Sequence, residues 1–478
     1  MTRGSGSVRD SLVGLIVPGL LMTTLVGVLV FKWRPAQATE PAPLPPGTLS
    51  ALHRAAVKEA GGDRAEGNAA FLRTALRGRV GDPGGLSTAR DDLSRAVSGL
   101  EQRLGEHPSD TASAARLADV LLRQSRVTNN PGLAVRAEDV LRTVLKEVPE
   151  DYESTRMLGA VLLSQHRFRD AIEIATRARA FNEHDAWNYG VLGDAWLELG
   201  EYQRAFDTFD EMMRRRPSAA AYARVAYAKE LQGDLNGALQ LMRMATDATS
   251  AHDPEGQAWH HVQVGDLLFK QGKISAARRE YDHAAFIFPD HPMAAEGLAR
   301  VMAAEQNFAG ALATYEALMA KGQLPHLAAR AGDMHARLGH ETDAARMYAL
   351  AENGWRFDTP EPVALVGFLA RHDRGILDAI TLGERASGSR RDVSTMDALA
   401  WAYFRAGRMD EALKASKQAL STGTRERSIL YHAAAIHRAA GDLATARMLI
   451  AQAVDGHPEF DPIEGPDARE LAKALSTK

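Results

Sequence analysis

The stretch TRMLGAVLLSQHRFRDAIEIATRA at residues 155–178 is followed closely by NYGVLGDAWLELGEYQRAFDTFDEM at residues 188–212. Small and apolar residues of the two stretches align with a single spacing of 34 residues. The aligned pairs are Gly159 with Gly193, Ala171 with Ala205, and Leu158 with Leu192. Self-similarity at a fixed period of this length is typical of repeat proteins, in which each unit is one supersecondary motif. We therefore expect a stack of short helical units, because such units bury their apolar faces only against their neighbours.

The same frame continues toward the C-terminus. Each unit has a small residue in its first helix and an alanine in its second. These pairs are Ala226/Ala238, Gly265/Ala277, Ala299/Ala311, Gly332/Ala344, Gly367/Ala379, Ala400/Ala412 and Ala434/Ala446. Successive second alanines lie 34, 33, 39, 34, 33, 35, 33 and 34 residues apart. The spacing of 39 falls across Asp247–Pro254, where the sequence predicts an inserted loop. A more degenerate unit precedes the series at residues 115–149.

This pattern resembles the tetratricopeptide repeat family, because glycine, alanine, aromatic and proline positions recur together at one period. The resemblance implies an all-α fold, a right-handed superhelical solenoid of about 9–10 helix–turn–helix repeats over residues 106–463. It also implies that the first helix of each unit lines a concave groove. Gly383 departs from the pattern, since a large side chain normally packs there, and predicts a loose or hinge-like unit at residues 360–392.

The segment before the repeats predicts a membrane tether. After a short tail at residues 1–11, residues 12–31 form an uncharged apolar run of 20 residues, long enough for a single transmembrane helix or signal anchor. A cleaved signal peptide and a buried core helix are the alternatives, but a signal peptide has a shorter apolar region. Residues 32–47 are proline-rich and predict a semi-rigid linker.

The orientation of this tether is weakly specified, because Lys and Arg are balanced on its two sides. We expect an extracytoplasmic, periplasmic solenoid, with the cytoplasmic face as the alternative. The sequence predicts an N-terminal helical cap at residues 48–105 and a C-terminal capping helix at residues 464–478. Caps of this kind keep the ends of a solenoid soluble.

Composition and motifs exclude several classes of function. The 478 residues contain no cysteine, which excludes disulfides and thiol nucleophiles. The net charge of −4 is unlike that of a dedicated nucleic-acid binder, so no nucleic-acid partner is expected. No nucleotide-binding, metalloprotease or serine-hydrolase motif occurs. We expect no enzymatic activity, no catalytic residue and no cofactor.

The histidines do not predict a metal site either. His260 and His261 lie near His252 and Asp253, but adjacent helical residues point to different faces. The sequence therefore favours ordinary surface histidines in this segment.

Candidate partner-binding residues follow from the inward position of the first helices. They are Asp194, Tyr227, Asp266, Arg300, Phe368, Arg371, Trp401, Phe404, Arg405 and Arg438. Residues 182–290 carry a net charge of −6, whereas residues 356–450 carry +3. Aromatic and arginine side chains are enriched at binding hot spots, so the C-terminal units are predicted to bind an acidic or carboxylate-ended peptide. The alternative is that Phe368 and Trp401 pack between neighbouring repeats.

The predicted function is therefore a membrane-tethered scaffold or adaptor that binds a protein or peptide partner in its concave groove, in cell-envelope assembly or regulation. Three alternatives remain open. One is an accessory subunit of an envelope glycan or polysaccharide system. Another is a protein like the O-linked N-acetylglucosamine transferases, although the repeats leave no room for a nucleotide-sugar domain. The third is a scaffold that self-associates.

Overall fold

The fold of the chain is known from a computed structural model, which describes residues 84–476 apart from 129, 290, 323 and 359–362. The described residues form 22 helices and no strand. Helix α1 covers Gly84–Glu106 and helix α22 covers Glu464–Ser476. Between them lie ten consecutive antiparallel helix pairs. This is the all-α solenoid that the repeat spacing predicts.

The first helices of the ten pairs are α2 (Thr111–Thr128), α4 (Tyr152–Ser164), α6 (Ala186–Glu198), α8 (Ala219–Leu231), α10 (Pro254–Lys270), α12 (Pro292–Ala304), α14 (Pro325–Arg337), α16 (Val363–Arg371), α18 (Val393–Arg405) and α20 (Arg427–Ala439). Their partners are α3 (Gly132–Glu147), α5 (Phe168–Phe181), α7 (Tyr202–Arg215), α9 (Leu235–Ala248), α11 (Ile274–Ile287), α13 (Phe308–Lys321), α15 (Glu341–Asp358), α17 (Ile376–Ser389), α19 (Met409–Ala419) and α21 (Leu443–Val454). Residues 249–253 connect α9 to α10 and lie in the predicted inserted loop.

The described residues from 93 onward belong to one compact unit, and the described residues before 93 are assigned to a second one. Of the second unit the structure describes residues 84–92, which begin helix α1. The predicted transmembrane helix at residues 12–31 and the linker at residues 32–47 lie outside the described residues. Among the helices that are described, none combines the length and the hydropathy needed to cross a bilayer.

Aromatic rings on second helices fit against glycines on first helices. The Tyr281 side chain is fully buried and lies between Gly265 of its own pair and Gly297 of the next. A Cβ atom at either glycine would lie 2.5 Å from a Tyr281 ring carbon. Gly332 accommodates Tyr348 in the same way. The small residues are therefore required because they let the helices approach to ring contact.

The unit that contains Gly383 is packed differently, but it is not loose at that position. A Cβ atom at Gly383 would lie 2.9 Å from a Leu399 methyl carbon and 3.3 Å from Val366. Both of these side chains are buried. Leu399 of the next unit thus fills the space that an aromatic ring of α17 would occupy, and the predicted looseness is wrong at this point.

The solenoid returns on itself along a line of contacts that we call the seam. Turns between the helices of three early pairs touch loops that follow three late pairs. The contacts join Gly200 to Arg391, Gly233 to Gly423 and Arg425, and Gly272 to Gly456 and His457. At each glycine φ is positive, between 73° and 78°, and an added Cβ atom would lie within 2.9 Å of the opposing segment. Glycine is needed twice at these turns, for the left-handed backbone and for the close approach.

Ion pairs reinforce the seam beside these glycines. Arg390 lies 2.8 Å from Glu198, and the Arg391 amide donates to the Glu198 carbonyl oxygen at 3.1 Å. Lys270 bridges Glu230 and Glu426, at 2.7 Å from each. The seam therefore joins α6, α8 and α10 to segments that lie far along the chain.

Candidate functional site

The predicted acidic groove residues are paired with side chains of the solenoid. Asp194 is 4% exposed and lies 2.7 Å from the guanidinium of Arg224, which is equally buried. Burial raises the pKa of Asp194 to about 6, although Arg224 opposes the shift. Asp266 accepts hydrogen bonds from Tyr281, at 2.7 Å, and from Arg300. These two predicted carboxylates are held by neighbouring units of the solenoid.

The predicted basic residue Arg371 belongs to a buried ionic cluster near the C-terminal end. Its guanidinium lies 2.8 Å from Asp461 and 2.9 Å from Glu464. Glu464 also contacts Nε2 of His432 at 3.1 Å, while Nδ1 of His432 lies 2.9 Å from Asp397. The cluster connects α16, α18 and α20 to the segment that leads into α22.

The charge state of His432 follows from these contacts. Burial alone would lower the pKa of His432, but the Asp397 and Glu464 carboxylates raise it to about 10. His432 is therefore a buried cation at neutral pH. It balances carboxylates that would otherwise be costly to bury.

The two large predicted aromatic residues are packed between repeats. Phe368 is 5% exposed, with ring centroids 5.1 Å from Trp355. Trp401 is 6% exposed and stacks on His432 at 4.2 Å with an interplanar angle of 17°. This placement matches the packing alternative that the sequence left open for these two residues.

Four of the predicted partner-binding residues are more accessible than Phe368 and Trp401. Tyr227 is half-buried beside Glu198 and Glu230, and burial with these charges raises its pKa. The ring of Phe404 is half-buried against Trp401. Arg405 and Arg438 are exposed, and Arg405 pairs with Asp373 at 2.8 Å. Of the ten predicted residues, these two arginines remain the best placed for contact with a partner.

An open cleft lies at the first contact of the seam, at a place that sequence reasoning missed. We call it the seam cleft; its volume is about 410 Å³. Its lining residues are Arg169, Ile172, Trp196, Leu199, Glu201, Gly388, Ser389, Arg390 and Arg391. They come from α5, α6, the α6–α7 turn, the end of α17 and the segment after it. No spacing in the sequence indicates that these segments meet.

The seam cleft combines an apolar wall with cationic groups. Trp196 is half-buried, and Arg204 lies 3.5 Å from the centre of its indole ring. Arg169 donates to the Gly388 carbonyl oxygen at 3.3 Å, and Arg391 donates to that of Ser387 at 3.0 Å. Within the described part of the chain, neither Arg169 nor Arg391 lies in an ion pair. Both guanidiniums are exposed and keep donors for a ligand.

Two clusters of side chains have the donor types for a metal ion. In each, three ligand atoms lie within 4.8 Å of one another. The clusters are His261 with Glu280 and His283, and His335 with His340 and Asp343. The spatial partners of His261, Glu280 and His283, lie on the next helix, whereas the sequence places His261 beside His252, Asp253 and His260.

Comparison with known proteins agrees with this architecture. The family model for the tetratricopeptide repeat matches residues 157–220 and 264–325. Both matches fall on consecutive helix pairs of the structure. Over these residues the helix pairs of the all-α solenoid are similar to tetratricopeptide repeats.

A curated relative adds a second observation. The chain is 28% identical over 215 residues to cellulose synthase 1 operon protein C of Komagataeibacter xylinus. The match covers 42% of this chain and 16% of that protein, so the chain spans about a sixth of the relative's length.

Among solved structures, a human IFIT1 dimer with PPP-AAAA is 15% identical, with 78% of this chain and 82% of that chain covered and a TM-score of 0.45. Yeast Tom70 is 13% identical, with 90% and 95% covered and a TM-score of 0.34.

Proposed function

We propose that the chain is a non-enzymatic tetratricopeptide scaffold that binds an acidic peptide segment of a partner protein. The seam cleft is the observation that carries this proposal. In this concave site an apolar wall lies beside two arginines that form no ion pair with a described residue. Peptide recognition commonly combines an apolar anchor with charge-assisted hydrogen bonds to a carboxylate.

The seam makes the cleft suitable for recognition, because it holds the walls in fixed positions. Arg390 and Glu198 are both buried at the floor of the contact, 2.8 Å apart. Arg390 also lies 2.5 Å from Asp392, so its charge is satisfied within the protein. Arg391, the next residue, is exposed and lines the cleft. A preorganised site of this kind loses little conformational entropy on binding.

Residues 12–31 and 32–47 extend the proposal to a place in the cell. A transmembrane anchor followed by a proline-rich linker would hold the solenoid at a fixed distance from a membrane, on its extracytoplasmic face. Anchoring of this kind suits a factor of cell-envelope assembly or regulation. Exposed Arg405 and Arg438 would then give the C-terminal units a second cationic surface.

The test is binding of the chain to an array of immobilised peptides of one length. Half of the peptides are acidic and contain one aromatic residue, and the other half are basic. We expect the purified full chain to retain acidic peptides and to lose them in Arg391→Glu and Arg169→Glu variants. A Trp196→Ala variant should weaken the same peptides without changing the preference for acidic charge.

A matched control is Arg385→Glu, which reverses a charge on α17 outside the lining of the cleft. Its retention of peptides should equal that of the wild type. Equal retention of acidic and basic peptides, or an unaltered preference in Arg391→Glu, would remove the proposal.

The second candidate is an accessory role in an envelope polysaccharide system. It is favoured by the relative whose name refers to a cellulose synthase operon, and by nothing in the geometry of the cleft. Titration with cello-oligosaccharides, followed by tryptophan fluorescence, distinguishes the two. Saturable binding of these sugars in the absence of any protein partner would favour this candidate over peptide recognition.

A further inference from the structure

Helices α10 and α11 bring three side chains with metal-binding donors to one place. His261 lies on α10, and Glu280 and His283 lie on α11. Nδ1 of His261 lies 2.8 Å from Oε2 of Glu280, and the rings of His261 and His283 are 4.1 Å apart. One ligand atom from each residue lies within 4.8 Å of the other two.

The backbone positions of these residues are fixed by the core. Tyr281 is fully buried between Gly265 and Gly297, which sets the rotation of α11 about its axis. Glu280 and His283 are three residues apart on this helix, so their side chains lie on neighbouring positions of one face. A Glu-x-x-His pair at this spacing supplies metal ligands from helices in several bundle proteins.

The adjacent His260 does not face this group of side chains, because it makes contacts within its own helix. It is 1% exposed, and its Nδ1 lies 2.7 Å from the carbonyl oxygen of Gly256. His261 is half-buried and faces α11 instead, where Glu280 and His283 are also half-buried. Among the described residues, Glu280 hydrogen-bonds to His261 and lies in no ion pair with an arginine or lysine. Its charge is thus free to balance a cation.

We propose that His261, Glu280 and His283 form a binding site for a divalent transition-metal ion of the Zn²⁺ or Co²⁺ class. Two imidazoles and one carboxylate are the borderline and hard donors that such ions accept. The ion would lie between α10 and α11 and would pin the two helices of this pair together. Its remaining coordination positions face solvent, because all three residues are partly exposed.

The present distances are close to those that such an ion requires. Bonds of about 2.0–2.2 Å in a tetrahedral arrangement place neighbouring donor atoms about 3.3 Å apart. His261 and Glu280 therefore need to separate by about half an ångström, which a side-chain rotation provides. Coordination through Nδ1 of His261 also requires the tautomer that carries its proton on Nε2.

The experiment is a titration of the metal-free, full-length chain, prepared without a histidine tag, with CoCl₂ and then with ZnCl₂. Visible absorption of Co²⁺ reports the coordination, and calorimetry gives the stoichiometry. To remove the second cluster, the titration is made in a His340→Ala, Asp343→Asn background. We expect one equivalent to bind there, with the visible bands of an ion held by protein ligands.

The site is then tested with three variants in the same background. We expect His283→Ala, His261→Gln and Glu280→Gln each to weaken the binding by roughly tenfold or more. His261→Gln keeps a donor for Glu280, so it separates loss of a metal ligand from loss of a hydrogen bond. The control is His184→Ala, which removes an imidazole that is 82% exposed, and it should bind as the background does.

The absence of stoichiometric binding in the His340→Ala, Asp343→Asn background would overturn the proposal. Undiminished binding by a His261→Gln, His283→Ala double variant with the circular dichroism of the wild type would also overturn it.

Discussion

The carboxylate of Glu198 and the guanidinium of Arg390 lie 2.8 Å apart, and both side chains are almost fully buried. Glu198 ends helix α6, whereas Arg390 follows helix α17. The pair therefore joins an early part of the solenoid to a late part across the seam. A single long stack contacts only sequence neighbours, and its stability is a sum over adjacent units. This pair, with the other contacts of the seam, couples units that are distant in sequence.

Loss of the Arg390 guanidinium should destabilise the whole solenoid. In Arg390→Met the carboxylates of Glu198 and Asp392 stay buried without their cation, which costs about 3–5 kcal/mol in comparable buried pairs. Urea unfolding followed by far-ultraviolet circular dichroism measures the change. The control, Arg346→Met, breaks an exposed pair with Asp343 and should cost less than about 1 kcal/mol. Equal losses in the two variants would show that the seam does not stabilise the fold.

Alanine at a seam glycine should cost more than alanine at an equivalent free turn. Gly233 and Gly407 have φ of 78° and 74°, so alanine at either carries the left-handed penalty of about 1–2 kcal/mol. Only at Gly233 would the new methyl group meet another segment, 2.5 Å from the Gly423 carbonyl oxygen. We expect Gly233→Ala to lose a further 1–3 kcal/mol, roughly, from this overlap.

Thermal unfolding of the two glycine variants gives the comparison directly. A melting temperature of Gly233→Ala that is no lower than that of Gly407→Ala would be inconsistent with a close contact at Gly233.

The buried cluster around His432 should make the stability fall at alkaline pH. The folded-state pKa of His432 is raised from 6.5 to about 10, because the Asp397 and Glu464 carboxylates outweigh its burial. A raised pKa contributes stability that is complete below pH 6.5 and is lost as the pH rises through about 10. We expect the urea midpoint of the wild type to decrease between pH 7 and pH 10.

A His432→Gln variant isolates this effect, because the other titrating groups are common to both proteins. The variant should be less stable at pH 7 and should show a flatter dependence on pH over the same range. Parallel curves for the two proteins would contradict the assignment of a buried cation to His432.

Trp401→Ala and Arg405→Glu should separate packing from partner contact in the C-terminal units. Trp401 is 6% exposed and stacked on His432, so Trp401→Ala should destabilise the fold by about 3–5 kcal/mol. Arg405 is exposed and pairs with an exposed Asp373, so Arg405→Glu should leave the stability within about 1 kcal/mol.

The same variants test the predicted role of the exposed arginines. An Arg405→Glu, Arg438→Glu double variant should fold normally and recover less of an acidic partner in affinity capture from an envelope extract. Normal recovery by this variant would leave the C-terminal arginines without a role in binding.

The repeat period was sufficient to predict the helix pairs. The glycines Gly193, Gly265 and Gly332 recur at the same position of their units, and each faces an aromatic ring of the following helix. This is a local contact between neighbours in sequence, and the period records it directly. At Gly383 the same reasoning failed, because the compensating side chain, Leu399, belongs to the next unit.

The accessibility of the predicted groove residues depends on contacts that the repeat period does not record. Position along the first helices indicated which residues face inward, and Asp194, Phe368, Arg371 and Trp401 do lie on those helices. Whether an inward residue is open to a partner depends on what lies opposite, such as Arg224 for Asp194 and Asp461 for Arg371.

By itself the sequence determined the helical class, the pairing of helices and the absence of thiol chemistry, since these depend on periodicity and composition. Only the tertiary structure decided where the solenoid meets itself, where the seam cleft opens and which neighbours His261 has. The reason is physical. Contacts between units far apart in sequence depend on the small rotation added by each repeat, and these rotations accumulate along the stack without a local signature in the sequence.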